Sequence, residues 1–170
     1  MNVLLFGRGP SRDDLKKIPN IYTVSCNNHY PNANLIFAID DSIVDGLLAN
    51  KFEGLEYQTI FTNYRLFERY NYSKRIMLID DDRLFKGQGL STGIIAIGTM
   101  LKFGFSKIFL SGFEFDNGGG TLVKLNYIIN SKNDYSKIFR IANNKINGLP
   151  INQITFEEFK YESMEYNILF

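Results

Sequence analysis

Two glycine-bearing stretches of this chain carry the residue types that hold an anionic ligand. One is Gly7-Arg8-Gly9-Pro10-Ser11, which directly follows an apolar run over residues 3–6. The other is Ser91-Thr92-Gly93, which opens an apolar segment over residues 94–105. Glycines let a ligand approach the main chain, and the N–H groups at a helix start favour a phosphate or carboxylate. The two stretches therefore predict a nucleotide or nucleotide-sugar site.

The first stretch is a poor match to an NAD site. It lacks the third glycine of the dinucleotide fingerprint, and Pro10 removes one backbone donor. Gly7 and Gly9 still permit close approach of a ligand, and the Ser11 hydroxyl adds a polar group. An ordinary tight turn is the alternative interpretation. Ser11 is also placed to cap a short helix, with Asp14 completing a capping box.

The second stretch begins a helix whose first turn contains no acidic residue. The positive end of the helix dipole and its free N–H groups therefore remain available to an anion, although a plain Ser/Thr cap is the alternative. The next strand ends in Ser111-Gly112-Phe113-Glu114-Phe115. A carboxylate at Glu114 can accept hydrogen bonds from ribose hydroxyls, or it is a solvated loop acid.

Further polar residues follow the second predicted strand. Asn27 and Asn28 can bind a base or a sugar through their amides, or form a turn. His29 is the only histidine, and its ordinary pKa suits a general base near neutral pH; the alternative is an incidental loop residue. Asp116 is a second candidate base. The single cysteine, Cys26, excludes an intramolecular disulfide and suits a small buried filler.

Two acidic clusters, Asp40-Asp41 and Asp80-Asp81-Asp82, come after predicted strands. Carboxylates in such positions can bind magnesium. Caps and solvated turns are the commoner roles, so we predict no metal site and no other cofactor.

The composition narrows the class of protein. The chain has 170 residues, of which 45% are hydrophobic and 15% aromatic, so we expect one domain over residues 1–170 with its own core. The 19 basic and 18 acidic side chains give no global case for nucleic-acid binding. No apolar run approaches the length of about 18 residues that spans a membrane, and the chain start lacks signal-peptide features. We expect a cytoplasmic location, or a peripheral one at the inner face of the membrane.

Strands and helices alternate along the sequence. We predict six or seven strands, within residues 2–6, 21–26, 34–39, 57–62, 75–79, 107–110 and 151–155. Helices are expected after Ser11 and at residues 42–51, 94–105 and 156–161, with one or two more within 121–147. This order predicts a doubly wound, mostly parallel α/β sheet whose ligands lie at the carboxyl ends of the strands.

In this order the motifs resemble those of the bacterial lipooligosaccharide sialyltransferases, glycosyltransferase family 42. A strand into Gly-x-Gly-Pro-Ser is that family's opening motif, and a strand ending in Cys-Asn, here Cys26-Asn27, is its second. The third is a Ser/Thr-Gly helix start, here Ser91-Thr92-Gly93, followed by a strand into Ser-Gly-x-acid-Phe, here residues 111–115. The similarity covers residues 1–30 and 88–116, and it implies a Rossmann-like, GT-A-like fold variant.

The resemblance implies metal-independent, inverting transfer of a sialic-acid-type sugar from a CMP-sugar donor to a hydroxyl of a glycan acceptor. It places Gly9, Ser11 and Asn27 at the cytidine phosphate, residues 91–93 at the donor phosphate or carboxylate, and Glu114 near the ribose. It leaves a homo-oligomer open. The expected substrate-binding residues are Gly7, Arg8, Gly9, Pro10, Ser11, Asn27, Asn28, Ser91, Thr92, Gly93, Gly112, Phe113 and Glu114.

The chain also departs from that family's pattern. Arg8 replaces the usual Asn and Glu114 the usual Asp, and no histidine follows His29, where the family has its base. The family's tyrosines after the acidic motif are missing, and Tyr127 and Tyr135 are the nearest candidates. The chain is also short for the family, without an evident acceptor lid. The donor half is therefore the better preserved half, with His29 and then Asp116 as candidate catalytic bases.

Two alternative functions stay open. One is a catalytically silent nucleotide-sugar-binding protein. The other is a magnesium-dependent diphosphokinase, because Gly-x-Gly-Pro-Ser also opens a family that includes archaeal pterin diphosphokinases. Those proteins carry acidic residues after their strands, and Asp40-Asp41 occupies such a position in this chain.

Overall fold

The computed structural model contains one parallel β-sheet and describes residues 1–15, 21–79, 89–115, 120–129 and 132–164. The eight strands in this part of the chain are β1 Asn2–Phe6, β2 Tyr22–Cys26, β3 Leu35–Phe37, β4 Thr59–Thr62, β5 Ile76–Leu78, β6 Lys107–Ser111, β7 Ile138–Ile141 and β8 Asn152–Ile154. They lie in the order β5-β4-β3-β2-β1-β6-β7-β8, and each neighbouring pair is parallel. The expected doubly wound α/β class is confirmed.

Helices cover both faces of the sheet. The α-helices are α1 Asp41–Leu48, α2 Tyr64–Arg69, α3 Thr92–Lys102, α4 Gly120–Ile128, α5 Lys132–Ser136 and α6 Phe156–Met164, and a short 3₁₀ helix spans Pro10–Asp14. In the described residues, no helix is long and apolar enough to cross a bilayer.

The direction of strand addition reverses between β1 and β6. From β1 the chain adds β2 to β5 on one side, then returns through α3 to place β6 on the other side of β1. The loops that follow β1 and β6 therefore leave the sheet next to each other. A reversal of this kind opens a crevice at the carboxyl ends of the strands, where α/β proteins bind their ligands.

Side chains of the central strand β1 alternate between two apolar clusters. Val3 and Leu5 belong to the cluster that includes the buried face of α3, whereas Leu4 and Phe6 pack with Phe109 and Phe159 on the opposite face. All four β1 side chains from Val3 to Phe6 are fully buried. Burial on both faces explains why this strand reads as a continuous apolar run rather than an alternating one.

One or two helices were expected within residues 121–147, and two are found there, but a strand that was not predicted follows them. The helices are α4 and α5, and Ile138–Ile141 forms strand β7 between β6 and β8. The sheet accordingly has more strands than expected. Helix α2 was also missed, although Asn63 caps it by accepting a hydrogen bond from the Leu66 N–H at 3.0 Å.

The predicted capping role of Ser11 is wrong as well. Gly9 is the N-cap of the 3₁₀ helix, and no side chain makes a capping hydrogen bond there. The Ser11 hydroxyl instead donates to Oε1 of Glu114 at 2.8 Å. A partner from a distant part of the chain has displaced the local one that the capping pattern suggested.

Candidate functional site

The loops after β1 and β6 are held side by side by their main chains. The Gly7 N–H donates to the Ser111 carbonyl at 2.8 Å, and the Gly9 N–H donates to the Gly112 carbonyl at 2.7 Å. Gly112 has a φ of 75°, and a Cβ on it would lie 2.7 Å from the Gly7 oxygen. Only glycine meets both conditions, so the expected glycine motif has a definite structural cause.

A cavity of about 340 Å³ opens where these two loops face the start of α3 and the end of β2. This volume falls in the range of about 300–1,000 Å³ that is usual for small-molecule sites. Its lining combines main-chain turns, polar side chains and a few apolar groups. The residues that line it are Gly7, Arg8, Cys26, Asn27, His29, Ile39, Asp40, Leu90, Ser91, Thr92, Gly93, Gly112 and Phe113.

The N-terminus of α3 contributes positive electrostatic potential to this cavity. Ser91 is the N-cap residue, yet its side chain makes no capping hydrogen bond, and the first turn has no acidic residue. The Thr92 hydroxyl lies 3.3 Å from Oδ1 of Asn27, which joins two motifs that stand far apart in the sequence. The Ser91 side chain does not cap this helix end, and no acid in the first turn neutralises its partial positive charge. The N–H groups and the helix dipole therefore favour an anion.

His29 lines the same cavity and is half-buried. Burial lowers the pKa of its imidazole, and the positive charges of Arg12 and Arg8 lower it further. The Arg12 guanidinium also donates to the His29 carbonyl at 3.4 Å. Since the pKa is depressed, His29 is neutral near pH 7 and has a free nitrogen lone pair to accept a proton.

Cys26 also lines the cavity, but its thiol is buried and its pKa is raised to about 12 by that burial. We therefore expect iodoacetamide to modify Cys26 about a thousandfold more slowly in the native protein than in urea, because the thiolate is the reactive form. Mass spectrometry of time points measures both rates. Rapid modification of the native protein would show that the thiol is accessible and ionised.

The acids after β3 divide into one that lines the cavity and one that does not. Asp40 is exposed and lines the cavity. Asp41 accepts from Arg65 at 2.7 Å and from Arg69 at 2.9 Å, and the hydrogen bond from Arg65 is the main cause of its lowered pKa. In the described residues no three His, Cys, Asp or Glu side chains are grouped to hold a metal ion. The cluster at residues 80–82 lies outside the described residues.

Several expected site residues lie elsewhere. Ser11 and Glu114 contact each other beside the cavity, next to Gly9 and Pro10 in the loop. Asn28 lines a second, separate cavity of about 700 Å³. The Tyr135 hydroxyl donates to Asn126 at 2.5 Å, Tyr127 is exposed on α4, and neither is among the residues that line the first cavity. Asp116 lies outside the described residues.

Sequence reasoning missed Arg140, which lies on β7 with 1% of its surface exposed. Its guanidinium forms a salt bridge of 3.1 Å with Glu114, at the end of the neighbouring strand. An arginine in the short apolar run 138–141 was the available signal, because a charged side chain is almost never fully buried without a partner.

The fold and the cavity define a class: a Rossmann-like α/β protein with a crevice at the point where its strand order reverses. Within that class, solved sialyltransferase structures have the same fold. CstII from Campylobacter jejuni, in complex with cytidine-5'-monophosphate, matches with a TM-score of 0.60 and 19% identity over 89% of this chain and 84% of that chain. CST-II in complex with a trisaccharide acceptor and CMP matches with a TM-score of 0.61 and 16% identity over 90% and 86%.

No family model matches the sequence, and no curated protein matches it. The similarity to the solved sialyltransferases is therefore one of fold.

Proposed function

We propose that this protein binds a CMP-sugar donor in the cavity between β1, β6 and α3 and transfers its sialic-acid-type sugar to an acceptor hydroxyl. The observation that carries the proposal is the convergence of Arg8, the uncapped α3 N-terminus and His29 on one cavity. A phosphate-bearing ligand matches the positive potential of the first two groups. The sialyltransferases with the same fold, solved with CMP, favour a cytidine nucleotide.

The proposed reaction needs one base and one stabilised leaving group. The acceptor oxygen forms a bond to the anomeric carbon, while the bond from that carbon to the phosphate oxygen of CMP breaks. His29 takes the proton of the acceptor hydroxyl, and CMP leaves with the electron pair. Attack from the face opposite the phosphate inverts the anomeric centre. Arg8 and the N–H groups of α3 stabilise the charge that develops on the phosphate.

Metal independence is part of the proposal. Arg8 and the start of α3 supply positive charge at the proposed phosphate position. In many nucleotide sites a magnesium ion supplies this charge. Asp41, which the diphosphokinase hypothesis would use, is already paired with two arginines. The phosphate is therefore expected to bind in the presence of a chelator.

Calorimetric titration tests the donor site directly. We expect CMP to bind in the presence of EDTA, and Arg8→Gln to weaken binding about tenfold to a hundredfold, because a charge-assisted hydrogen bond contributes about 1.5–3 kcal/mol. Lys74→Gln is the matched control, since it removes the same charge from an exposed position that does not line the cavity.

Three other outcomes would redirect the proposal. Binding of ATP with magnesium, but not of CMP, would favour the diphosphokinase. Binding of CMP without release of CMP from CMP-sialic acid, with or without acceptors, would favour a silent binding protein. Equal affinities of wild type and Arg8→Gln would remove Arg8 from the site.

A further inference from the structure

All three guanidinium nitrogens of Arg140 donate hydrogen bonds to groups of the protein. Its Nε donates to the Phe113 carbonyl at 2.8 Å, and its Nη1 donates to the Asn144 carbonyl at 2.7 Å. Its Nη2 lies 3.1 Å from both Oδ1 of Asn144 and Oε2 of Glu114. A planar fork that is fixed at three nitrogens defines the position of each partner.

Glu114 links the fixed guanidinium of Arg140 to the loop after β1. Its second oxygen, Oε1, accepts from the Ser11 hydroxyl at 2.8 Å and from the Ser11 N–H at 3.3 Å. The Ser11 hydroxyl oxygen in turn accepts from the Gly112 N–H at 3.0 Å. The carboxylate therefore joins β7 to the loop that carries Arg8.

Phe113 links Arg140 to the start of α3, on the other side of the cavity. Its carbonyl is held by Arg140, and its ring packs so closely on α3 that a Cβ on Gly93 would lie 2.6 Å from it. The ring also approaches Gly7, where a Cβ would lie 3.0 Å away. One buried arginine thus contacts both of the residues that set the spacing between the Arg8 loop and the start of α3.

We infer that Arg140 and Glu114 are positioning residues that hold the Arg8 loop and the α3 N-terminus at the separation required by the donor phosphate, an inference that rests on the proposed function. Both oxygens of Glu114 already accept hydrogen bonds from protein groups, so this positioning role is distinct from the ribose contact that the resemblance implied. A binding site keeps its affinity only when a supporting layer of residues fixes the residues that contact the ligand.

The experiment compares Arg140→Met with Arg75→Met. Arg75 also fixes main-chain carbonyls, those of Leu47 at 2.8 Å and Leu55 at 2.6 Å, but in a part of the fold that does not line the cavity. Both variants lose structural hydrogen bonds. At a temperature well below both unfolding transitions, we expect Arg140→Met to raise the CMP dissociation constant at least tenfold and Arg75→Met to leave it within twofold.

A second pair covers the case in which Arg140→Met does not fold. Glu114→Gln keeps an oxygen for Ser11 but removes the charge that neutralises Arg140, and we expect it to raise the CMP dissociation constant severalfold. Its control is Glu56→Gln, which alters a carboxylate bound to the Gly54 N–H at 3.0 Å. Wild-type affinity in Glu114→Gln and in any folded Arg140→Met would overturn the inference.

Hydrogen exchange separates this inference from the proposed function. In Arg140→Met and Glu114→Gln we expect faster exchange in the peptide that covers residues 7–15, with no change there in Arg75→Met. If wild type does not bind CMP, the proposed function fails, and the exchange result alone decides whether Arg140 and Glu114 position this loop. Unchanged exchange in that peptide would then overturn the inference.

Discussion

Gly112→Ala is expected to cost at least about 3 kcal/mol of unfolding free energy, whereas Gly104→Ala is expected to cost about 1–2 kcal/mol. Both glycines adopt the left-handed backbone conformation, with φ values of 75° at Gly112 and 79° at Gly104. At Gly104 an added Cβ would have no atom within 4 Å. The loss of unfolding free energy there comes only from placing alanine in the left-handed conformation. At Gly112 the Cβ would lie 2.7 Å from the Gly7 oxygen and 3.0 Å from the Gly9 oxygen, and main-chain atoms cannot rotate away.

Urea denaturation with linear extrapolation measures the two losses, provided that both variants unfold with the wild-type slope. The additional cost at Gly112 comes from forcing apart the loops after β1 and β6. We therefore expect Gly112→Ala to lose CMP affinity too, while Gly104→Ala keeps it. Equal destabilisation of the two variants would mean that the close approach of Gly7 and Gly112 has no energetic weight.

His29→Gln is expected to lower turnover of CMP-sialic acid with acceptor by about 10²–10⁴-fold, the range for loss of a general base. Wild-type kcat/KM should rise with pH through an apparent pKa below 6.5 and then level off, because burial and the charges of Arg12 and Arg8 depress the pKa of His29. That acidic limb should be absent from the residual activity of the variant. Initial rates of CMP release over about pH 5–8 measure both effects.

CMP affinity is the control for His29→Gln, and it should stay within a few-fold of wild type. Stability gives a second readout. The unfolded chain binds the imidazole proton more tightly than the folded one, so wild type loses stability as pH falls from about 6.5 through the lowered pKa. His29→Gln should lose less over that interval. Unchanged turnover would eliminate His29 as the base, and Asp116→Asn would be the next variant.

The central sheet was readable from the sequence because its strands are buried on both faces. Residues 3–6 form an apolar run without alternation, and the glycines at positions 7 and 112 mark where the two neighbouring strands end. The order of strands and helices then places these two loops together. The cavity accordingly lies at the carboxyl ends of these strands, where the sequence predicted a ligand site, and binding of a ligand there stays a prediction.

The contacts beside the cavity were not readable, because they join residues that are distant in the chain. Ser11 and Glu114 are 103 positions apart, and the local pattern around Ser11 suggested a helix cap instead. Strand β7 was hidden by Arg140, since a charged residue in a run of four contradicts the pattern of a buried strand. The Glu114 carboxylate beyond the end of the adjacent strand, together with acceptors on Phe113 and Asn144, makes that arginine compatible with burial.

The position of β1 between β2 and β6 has a consequence for synthesis of the chain. The ribosome produces β1 and β2 before residues 107–111, so one edge of β1, whose side chains from Val3 to Phe6 are fully buried in the folded protein, waits without a hydrogen-bonding partner. Such an edge is a template for pairing with other chains. In the folded protein both edges of β1 are paired, so this hazard is confined to the period before β6 has been made.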